Sequence, residues 1–153
     1  MTVLTAAEIR ALSEAIERPS DRLAVYVAAY TGLRAGELWA LRRADVDLTA
    51  GQPRLAVGRT LTSESGHPVF RNATKTDGSR RVVSLPMFLA NMLATHLDAM
   101  PADPAALVFT APGGGTSRRS AGDGGPVRHE LFVRRAFRPA VKQALPLAKH
   151  NLR

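Results

Sequence analysis

The chain has 153 residues, of which 45% are hydrophobic, so one folded domain with its own core is expected and a disordered chain is excluded. It has no cysteine, which excludes disulfides, thiolate zinc sites and iron–sulfur clusters, and its four histidines show no metal-ligand spacing. No apolar run approaches the roughly 18 residues of a membrane span, and the N-terminus lacks a signal-peptide pattern. We therefore expect a cytoplasmic protein without a membrane partner.

The net charge of +8 is concentrated in the C-terminal third. Residues 1–50 carry a net −1, residues 51–110 a net +2 and residues 111–153 a net +7. Positive charge gathered in one region favours a polyanionic partner. The alternative is compositional, because eighteen arginines against three lysines are also typical of a GC-rich genome.

The first part of the chain predicts three helices. Thr5 and Glu8 have the spacing of a capping box, and the helix that they begin ends by Pro19. A second helix, from about 20 to 30, is apolar nearly all round, which predicts a buried position with its two tyrosines in the core. Gly32 follows its end as the C-terminal glycine, and a third helix begins at 34 or 35.

Alternation of apolar and polar residues then predicts three strands. The first covers 55–61, the second covers 69–72 after a turn at 66–68, and the third covers 81–85 after a hairpin turn at Asp77-Gly78. These strands are expected to form a three-stranded antiparallel sheet, with Lys75 near the second turn.

The remainder predicts two helices, from Pro86 to about 97 and from about 127 to 145, the second bent or divided at Pro139. Between them lie a buried strand-like segment at 107–109 and a glycine-rich stretch at 111–126. That stretch lacks the phosphate-loop pattern and is interpreted as a mobile loop. The expected fold class is α+β, a mainly helical domain with a small three-stranded antiparallel sheet.

Three motifs in this order resemble the catalytic domain of the tyrosine recombinases, or phage integrases, and the resemblance covers essentially the whole chain from Leu4 to Arg153. They are Thr31-Gly32-Leu33-Arg34-Ala35-Gly36-Glu37-Leu38, then Lys75-Thr76-Asp77-Gly78-Ser79-Arg80-Arg81, then His150-Asn151-Leu152-Arg153.

The resemblance implies a role for each matching residue, with double-stranded DNA as the partner and neither metal nor cofactor. Arg34 and Arg153 would clamp the non-bridging oxygens of a DNA phosphate, for which a fork-shaped guanidinium is well suited. Lys75 would protonate the leaving 5′-oxygen, and His150 would manage the proton of the nucleophile. Glu37 would hold the surrounding architecture.

Each of these residues also has a structural interpretation. Arg34 could form an ion pair with Glu37, and Lys75 could be a solvated lysine in a turn. His150 and Arg153 could be polar residues of a frayed chain end. The order of the three motifs favours the functional interpretation.

Two departures from the family pattern shape the functional hypothesis. The family's nucleophilic tyrosine follows the His-x-x-Arg motif, whereas Tyr26 and Tyr30 precede Arg34. The family's N-terminal DNA-clamping domain has no counterpart, so residues 1–153 are expected to be a partial catalytic domain. Lesser changes are Asn151 in place of the family's usual Asp and a longer loop at 116–124.

The first hypothesis is therefore a DNA-binding fragment of a phage-type integrase that cannot cleave DNA alone. The alternatives are a non-enzymatic DNA-binding competitor or complementing partner of a full-length recombinase, which would supply the missing tyrosine, and an inactive prophage remnant.

Overall fold

The computed structural model describes residues 3–49, 51–72, 80–113, 124–146 and 149. Three helices come first: α1 (Ala6–Glu14), α2 (Pro19–Thr31) and α3 (Ala35–Trp39). Gly32 ends α2 in the left-handed conformation at φ 66°, which glycine adopts without a steric penalty. The chain can therefore turn sharply and begin α3 three residues later.

The predicted capping box of α1 is confirmed. The Glu8 backbone N–H donates to Thr5 Oγ1 at 3.3 Å, and the Thr5 backbone N–H donates to Glu8 Oε2 at 2.8 Å. The Glu8 carboxylate also accepts from the Lys149 ammonium, at 2.6 Å to Oε1 and 2.7 Å to Oε2. One carboxylate thus closes the first turn of α1 and contacts a residue 141 positions away.

The contacts of the Glu8 carboxylate make the stability of the fold depend on pH. Hydrogen bonding from Lys149, and then from the Thr5 backbone, lowers the pKa of Glu8 from 4.5 to about 2. A carboxyl group with a depressed folded-state pKa stabilises the fold above its unfolded pKa, and this contribution is lost as the pH falls through the folded value. We expect Glu8→Gln to melt below the unmodified chain at pH 6 and the two melting curves to converge as the pH falls from 4.5 to 2. A melting difference that is independent of pH would contradict this assignment.

The sheet differs in its connections from the predicted one. Strand β1 (Val46–Asp47), strand β2 (Arg54–Val57) and strand β5 (Arg81–Ser84) form an antiparallel sheet in the order β1-β2-β5. Strands β3 (Arg59–Glu64) and β4 (His67–Asn72) form a separate two-stranded hairpin. The single strand predicted over 55–61 was wrong, because Gly58 lies between β2 and β3 and the two halves pair with different partners.

The hairpin turn also lies earlier than the sequence suggested. Ser65 and Gly66 form it, with φ values of 50° and 79°, while His67 and Pro68 belong to β4. A two-residue turn with positive φ at both central positions matches the twist of the flanking strands. The turn predicted at 66–68 is therefore displaced to Ser65-Gly66. The turn predicted at Asp77-Gly78 lies outside the described residues.

The C-terminal half is helical, as predicted. Helix α4 (Met87–Asp98) packs on the sheet, and α5 (His129–Phe132) continues through a π-helical turn (Val133–Phe137) into α6 (Arg138–Ala144). Pro139 lies in the first turn of α6, where its missing N–H is best tolerated. The π-helical turn lies just before it, so the helix changes its hydrogen-bond pattern there and continues through Pro139 without a break in the helical backbone. Most of the glycine-rich stretch 111–126 lies outside the described residues.

Two hydrophobic clusters hold these elements together. The larger one joins α2, α3, the inner face of β2 and α4, and it includes the predicted buried segment at 107–109. The smaller one joins α1 to α6 through Leu12, Ile16, Val141 and Leu145. The end of the described chain is therefore packed against its beginning. In the described residues no helix is both long and apolar enough to cross a membrane.

The predicted core position of the two tyrosines is only partly correct. Tyr26 is half-buried, but Tyr30 is exposed and its ring lies edge-on to Phe88 of α4 at 4.9 Å. The rings of Tyr26 and Tyr30 stack on each other at 6.4 Å. The pair belongs to an aromatic cluster between α2 and α4.

Candidate nucleic-acid interface

Arg34 lies at the N-terminal end of α3, at the elbow formed by Gly32. Its side chain is exposed and makes no hydrogen bond or ion pair to any residue in the described part of the chain. An unpaired guanidinium at a fixed backbone position is free to bind an anion through two parallel hydrogen bonds.

Glu37 fixes that backbone position. Its Oε2 accepts from the Arg34 backbone N–H at 2.8 Å, and Arg81 of β5 donates to Oε1 at 2.8 Å and to Oε2 at 2.9 Å. Glu37 is 6% exposed and is one of only two buried polar residues found in the described ranges. The carboxylate therefore ties the start of α3 to the edge of the sheet.

The ion-pair partner of Glu37 bears on the structural alternative for Arg34. An ion pair between them was the structural alternative, but Glu37 pairs with Arg81 instead. The Arg81 hydrogen bonds are the largest cause that lowers the pKa of Glu37, against the opposing effect of burial, and the same contact raises the pKa of Arg81. Glu37 is thus ionised and hydrogen-bonded at neutral pH. The charge of Arg34 adds a smaller lowering of the same pKa, but the Arg34 guanidinium forms no hydrogen bond or ion pair within the described residues. The architectural role expected for Glu37 agrees with these contacts.

Gly36 sets the distance between α3 and the hairpin. A Cβ at this position would come within 2.8 Å of the Leu61 carbonyl oxygen and would also clash with Thr60 Oγ1. Only glycine therefore allows α3 and β3 to approach this closely. The contact places the hairpin β3–β4 beside the helix that follows Arg34.

A cleft of about 430 Å³ opens between α3, the hairpin and the start of α5. Ala35 and Gly36, the two residues after Arg34, line one side, and Arg128 and His129 line another. The indole N–H of Trp39 donates to His129 Nδ1 at 3.2 Å, which holds α5 against α3. The same wall carries one arginine, Arg128, and one glutamate, Glu130, and the cleft borders the residue that carries the exposed Arg34 guanidinium.

The helix beyond this cleft presents further positive charge. Its exposed cationic residues form no ion pair within the described ranges; they are Arg128, Arg134, Arg135, Arg138 and Lys142. Other arginines are committed to the fold. Arg18 donates to the Thr110 carbonyl at 2.6 Å, and Arg43 donates to the Leu97 carbonyl at 2.6 Å. The free positive charge therefore gathers on the C-terminal helix, in line with the charge distribution of the sequence.

Of the four predicted site residues, the structure describes Arg34 alone. Lys75, His150 and Arg153 lie outside the described residues, so their proximity to Arg34 stays a prediction. The described part of the chain contains no group of three His, Asp or Glu side chains that could hold a metal ion.

Sequence reasoning missed two residues that shape this region. Arg81 was recognised only as part of the second motif, and its pairing with Glu37 joins positions 44 residues apart, for which the sequence carried no signal. His129 gave no signal, because its contact with Trp39 joins positions 90 residues apart.

Comparison with known proteins agrees with the resemblance. No protein-family model matches the chain. The integrase of Mycobacterium phage FRAT1 is 35% identical over 103 residues, which cover 65% of this chain and 31% of that integrase. Integrases of two other mycobacterium phages match at the same identity, with 27% and 28% of their lengths covered. The aligned part of the chain thus spans about a third of the length of these relatives.

Two solved structures share the fold. The XerA recombinase matches 94% of this chain and 42% of its own, with a TM-score of 0.59 and 25% identity. The Tn1549 transposon integrase, solved with circular intermediate DNA, matches 95% of this chain and 49% of its own, with a TM-score of 0.67 and 19% identity. The expected fold class, a mainly helical domain with a small antiparallel sheet, is confirmed. Similarity in sequence to phage integrases and a fold shared with solved recombinases support the interpretation of the chain as a fragment of a tyrosine recombinase, or phage integrase.

Proposed function

We propose that this chain is the DNA-binding part of a tyrosine-recombinase catalytic domain and serves site-specific DNA recombination. The observation that carries the proposal is the exposed guanidinium of Arg34, which has no hydrogen-bond or ion-pair partner in the described residues and lies beside the cleft between α3, the hairpin and α5. Its backbone is held by Glu37, which is itself neutralised by Arg81. A DNA phosphate is the anion that this arrangement would bind, and the Tn1549 integrase of the same fold was solved with DNA.

In the proposed mechanism, Arg34 and Arg153 stabilise the charge that develops on the phosphate during strand transfer. Lys75 donates a proton to the 5′-oxygen that leaves, and His150 handles the proton of the attacking group. No tyrosine of this sequence suits the attack, because Tyr26 and Tyr30 belong to the aromatic cluster of α2 and α4. The nucleophile would come from residues outside this sequence or from a recombinase partner.

Binding of a labelled duplex of about 30 base pairs, followed by anisotropy at several salt concentrations, tests this proposal. Affinity should fall steeply with salt, because each neutralised phosphate contributes a slope of about −0.9 in log affinity against log salt. Arg34→Ala should weaken binding about five- to tenfold at 0.1 M salt and reduce the slope by about 1, since one phosphate contact is lost.

Arg10→Ala is the matched control. Arg10 is an exposed arginine of α1 that forms no ion pair within the described residues. Removing it changes the net charge equally and should alter affinity less than twofold. Equal losses in the two variants would show that only overall charge matters and would overturn the role of Arg34.

The proposal also predicts that the chain alone forms no covalent adduct with a nicked DNA substrate.

A non-enzymatic competitor or partner of a full-length recombinase is the second candidate, favoured by the free cationic residues of the last helix. Adding the chain to a recombination reaction of a full-length relative distinguishes the two candidate functions. Inhibition that requires Arg134 and Arg138 but not Arg34 would favour the competitor.

A further inference from the structure

The indole N–H of Trp39 has one hydrogen-bond partner among the described residues, His129 Nδ1 at 3.2 Å. An indole N–H can only donate, so Nδ1 carries no proton and the accepting ring is the neutral tautomer with its proton on Nε2. Trp39 is 2% exposed, so loss of this acceptor would leave a buried donor unpaired. His129 itself is exposed, so its ring is open to protonation from solvent.

Trp39 connects α5 to α3 through two contacts. The hydrogen bond to His129 is one, and the ring of Phe132, three residues later, lies edge-on to the Trp39 ring at 5.0 Å. Trp39 is in turn held in the core by Phe109, whose ring is edge-on to it at 6.1 Å. The start of α5 is therefore attached to a ring that the core keeps in place.

This attachment sets the separation of two cations at the cleft. Arg34 lies at the N-terminal end of α3, and Arg128 directly precedes His129 and lines the cleft. Both side chains are exposed. Holding two binding groups at a fixed separation lowers the entropy that is lost when one ligand engages both of them. The contact between Trp39 and His129 therefore bears on how one duplex meets Arg34 and Arg128 together.

The charged side chains around His129 lie on its own helix. In the cleft, and in the two cavities beside it that His129 also lines, the charged lining residues are Arg128, Glu130, Arg134 and Arg138. The described residues that α1, α2, α3 and the hairpin contribute to these cavities are uncharged. The one acid of α3, Glu37, is paired with Arg81. Protonation of His129 would thus remove the acceptor of Trp39 without gaining an acid from a neighbouring element.

We propose that neutral His129 is a positioning residue for DNA binding: it accepts from Trp39, holds α5 on α3 and so fixes Arg128 relative to Arg34. Protonation of the ring removes the acceptor and releases this attachment. The inference rests on the proposed function for its DNA readout, whereas the attachment itself does not depend on DNA.

The chain has a single tryptophan, so its indole N–H is a unique NMR probe of the attachment. His129→Asn keeps an acceptor that does not titrate near neutral pH, and His129→Phe keeps a ring without an acceptor. At pH 7.5 the indole N–H should exchange with solvent about tenfold faster in His129→Phe than in the unmodified chain, but less than twofold faster in His129→Asn. Between pH 7.5 and 5, where imidazole titrates, its chemical shift should move in the unmodified chain and not in His129→Asn.

His96→Gln is the matched histidine control. The His96 ring stacks on Phe109 at 5.8 Å, and glutamine keeps a donor for the Val108 carbonyl, which lies 2.7 Å from His96 Nε2. This variant should retain the pH-dependent shift of the indole N–H. A shift that disappears in His96→Gln, or one that persists in His129→Asn, would overturn the assignment to His129.

Duplex affinity at pH 7.5 provides the readout that a merely structural role would not change. His129→Phe should weaken binding about fivefold and His129→Asn less than twofold, although both variants carry the same charge. In an Arg128→Ala background His129→Phe should weaken binding less than twofold, because one of the two cations to be positioned is already gone. Equal effects of His129→Phe in both backgrounds would overturn the positioning role. If the unmodified chain binds no duplex, the proposed function fails, and the NMR contrast between His129→Phe and His129→Asn alone decides whether His129 holds α5.

Discussion

Replacing Glu37 by alanine is expected to lower the free energy of unfolding by about 2–3 kcal/mol. The substitution removes the carboxylate that accepts from the Arg34 backbone, a loss worth about 1 kcal/mol as a helix cap. It also leaves the Arg81 guanidinium without its ion-pair partner, and that partner, Glu37, is only 6% exposed to solvent. Breaking a fully buried pair costs about 3–5 kcal/mol, and the 37% exposure of Arg81 reduces that figure because water can solvate the freed cation.

Urea unfolding of Glu37→Ala and Glu64→Ala compares the loss in free energy of unfolding when a buried acceptor and an exposed acceptor are removed. Glu64 pairs with Arg71 on the solvent side of the hairpin, where loss of an ion pair is worth about 0–1 kcal/mol. A loss of stability in Glu37→Ala no larger than in Glu64→Ala would show that the Glu37 contacts do not hold α3 to the sheet. Arg34→Ala should leave stability nearly unchanged, since its side chain forms no contact of this kind within the described residues.

Replacing Gly36 by alanine is expected to destabilise the fold by about 1–3 kcal/mol, although alanine favours helices. The added methyl group would meet the Leu61 carbonyl oxygen at 2.8 Å, and this backbone atom cannot rotate away. Forcing atoms into a packed contact costs about 1–3 kcal/mol, whereas the gain in helix propensity is at most about 1 kcal/mol. The helix and the hairpin must therefore separate, which would also widen the cleft beside Arg34.

Gly51→Ala is the matched control for this steric argument. A Cβ at Gly51 would have no atom within 4 Å, so this variant should melt close to the unmodified chain. Thr60→Ala, combined with Gly36→Ala, should restore part of the lost stability, because it removes the clashing hydroxyl but not the Leu61 carbonyl. Equal melting temperatures for Gly36→Ala and Gly51→Ala would contradict the close approach of α3 to β3.

The local features of the fold were predictable from short stretches of sequence. The capping box joins Thr5 and Glu8, which are three positions apart, and the left-handed Gly32 directly follows the end of an apolar helix. The position of Pro139 in the first turn of α6 also needs no partner elsewhere in the chain. Such features arise from backbone sterics and adjacent hydrogen bonds, which neighbouring residues determine.

The strand pairing was less predictable, because alternation identifies strands but not their neighbours. The segment 55–61 has one uninterrupted alternating pattern, yet Val57 pairs with Arg81 while Thr60 pairs with Arg71. Gly58 between them interrupts the pairing, and the packing of α3 on β3 directs the hairpin away from the sheet. Pairing energies come from side chains that meet across strands, so the register depends on the assembled fold.

The candidate site divides in the same way. The motifs by themselves predicted the family resemblance, the fold class and Arg34 as a candidate phosphate ligand, because these follow from residue identity and order. Only the tertiary structure decided that Glu37 pairs with Arg81, that Gly36 allows α3 to contact the hairpin and that Glu8 holds Lys149. Two of these contacts join residues 44 and 141 positions apart. A hydrogen bond over such a separation forms only when packing of the core brings the donor and acceptor atoms within about 3 Å of each other.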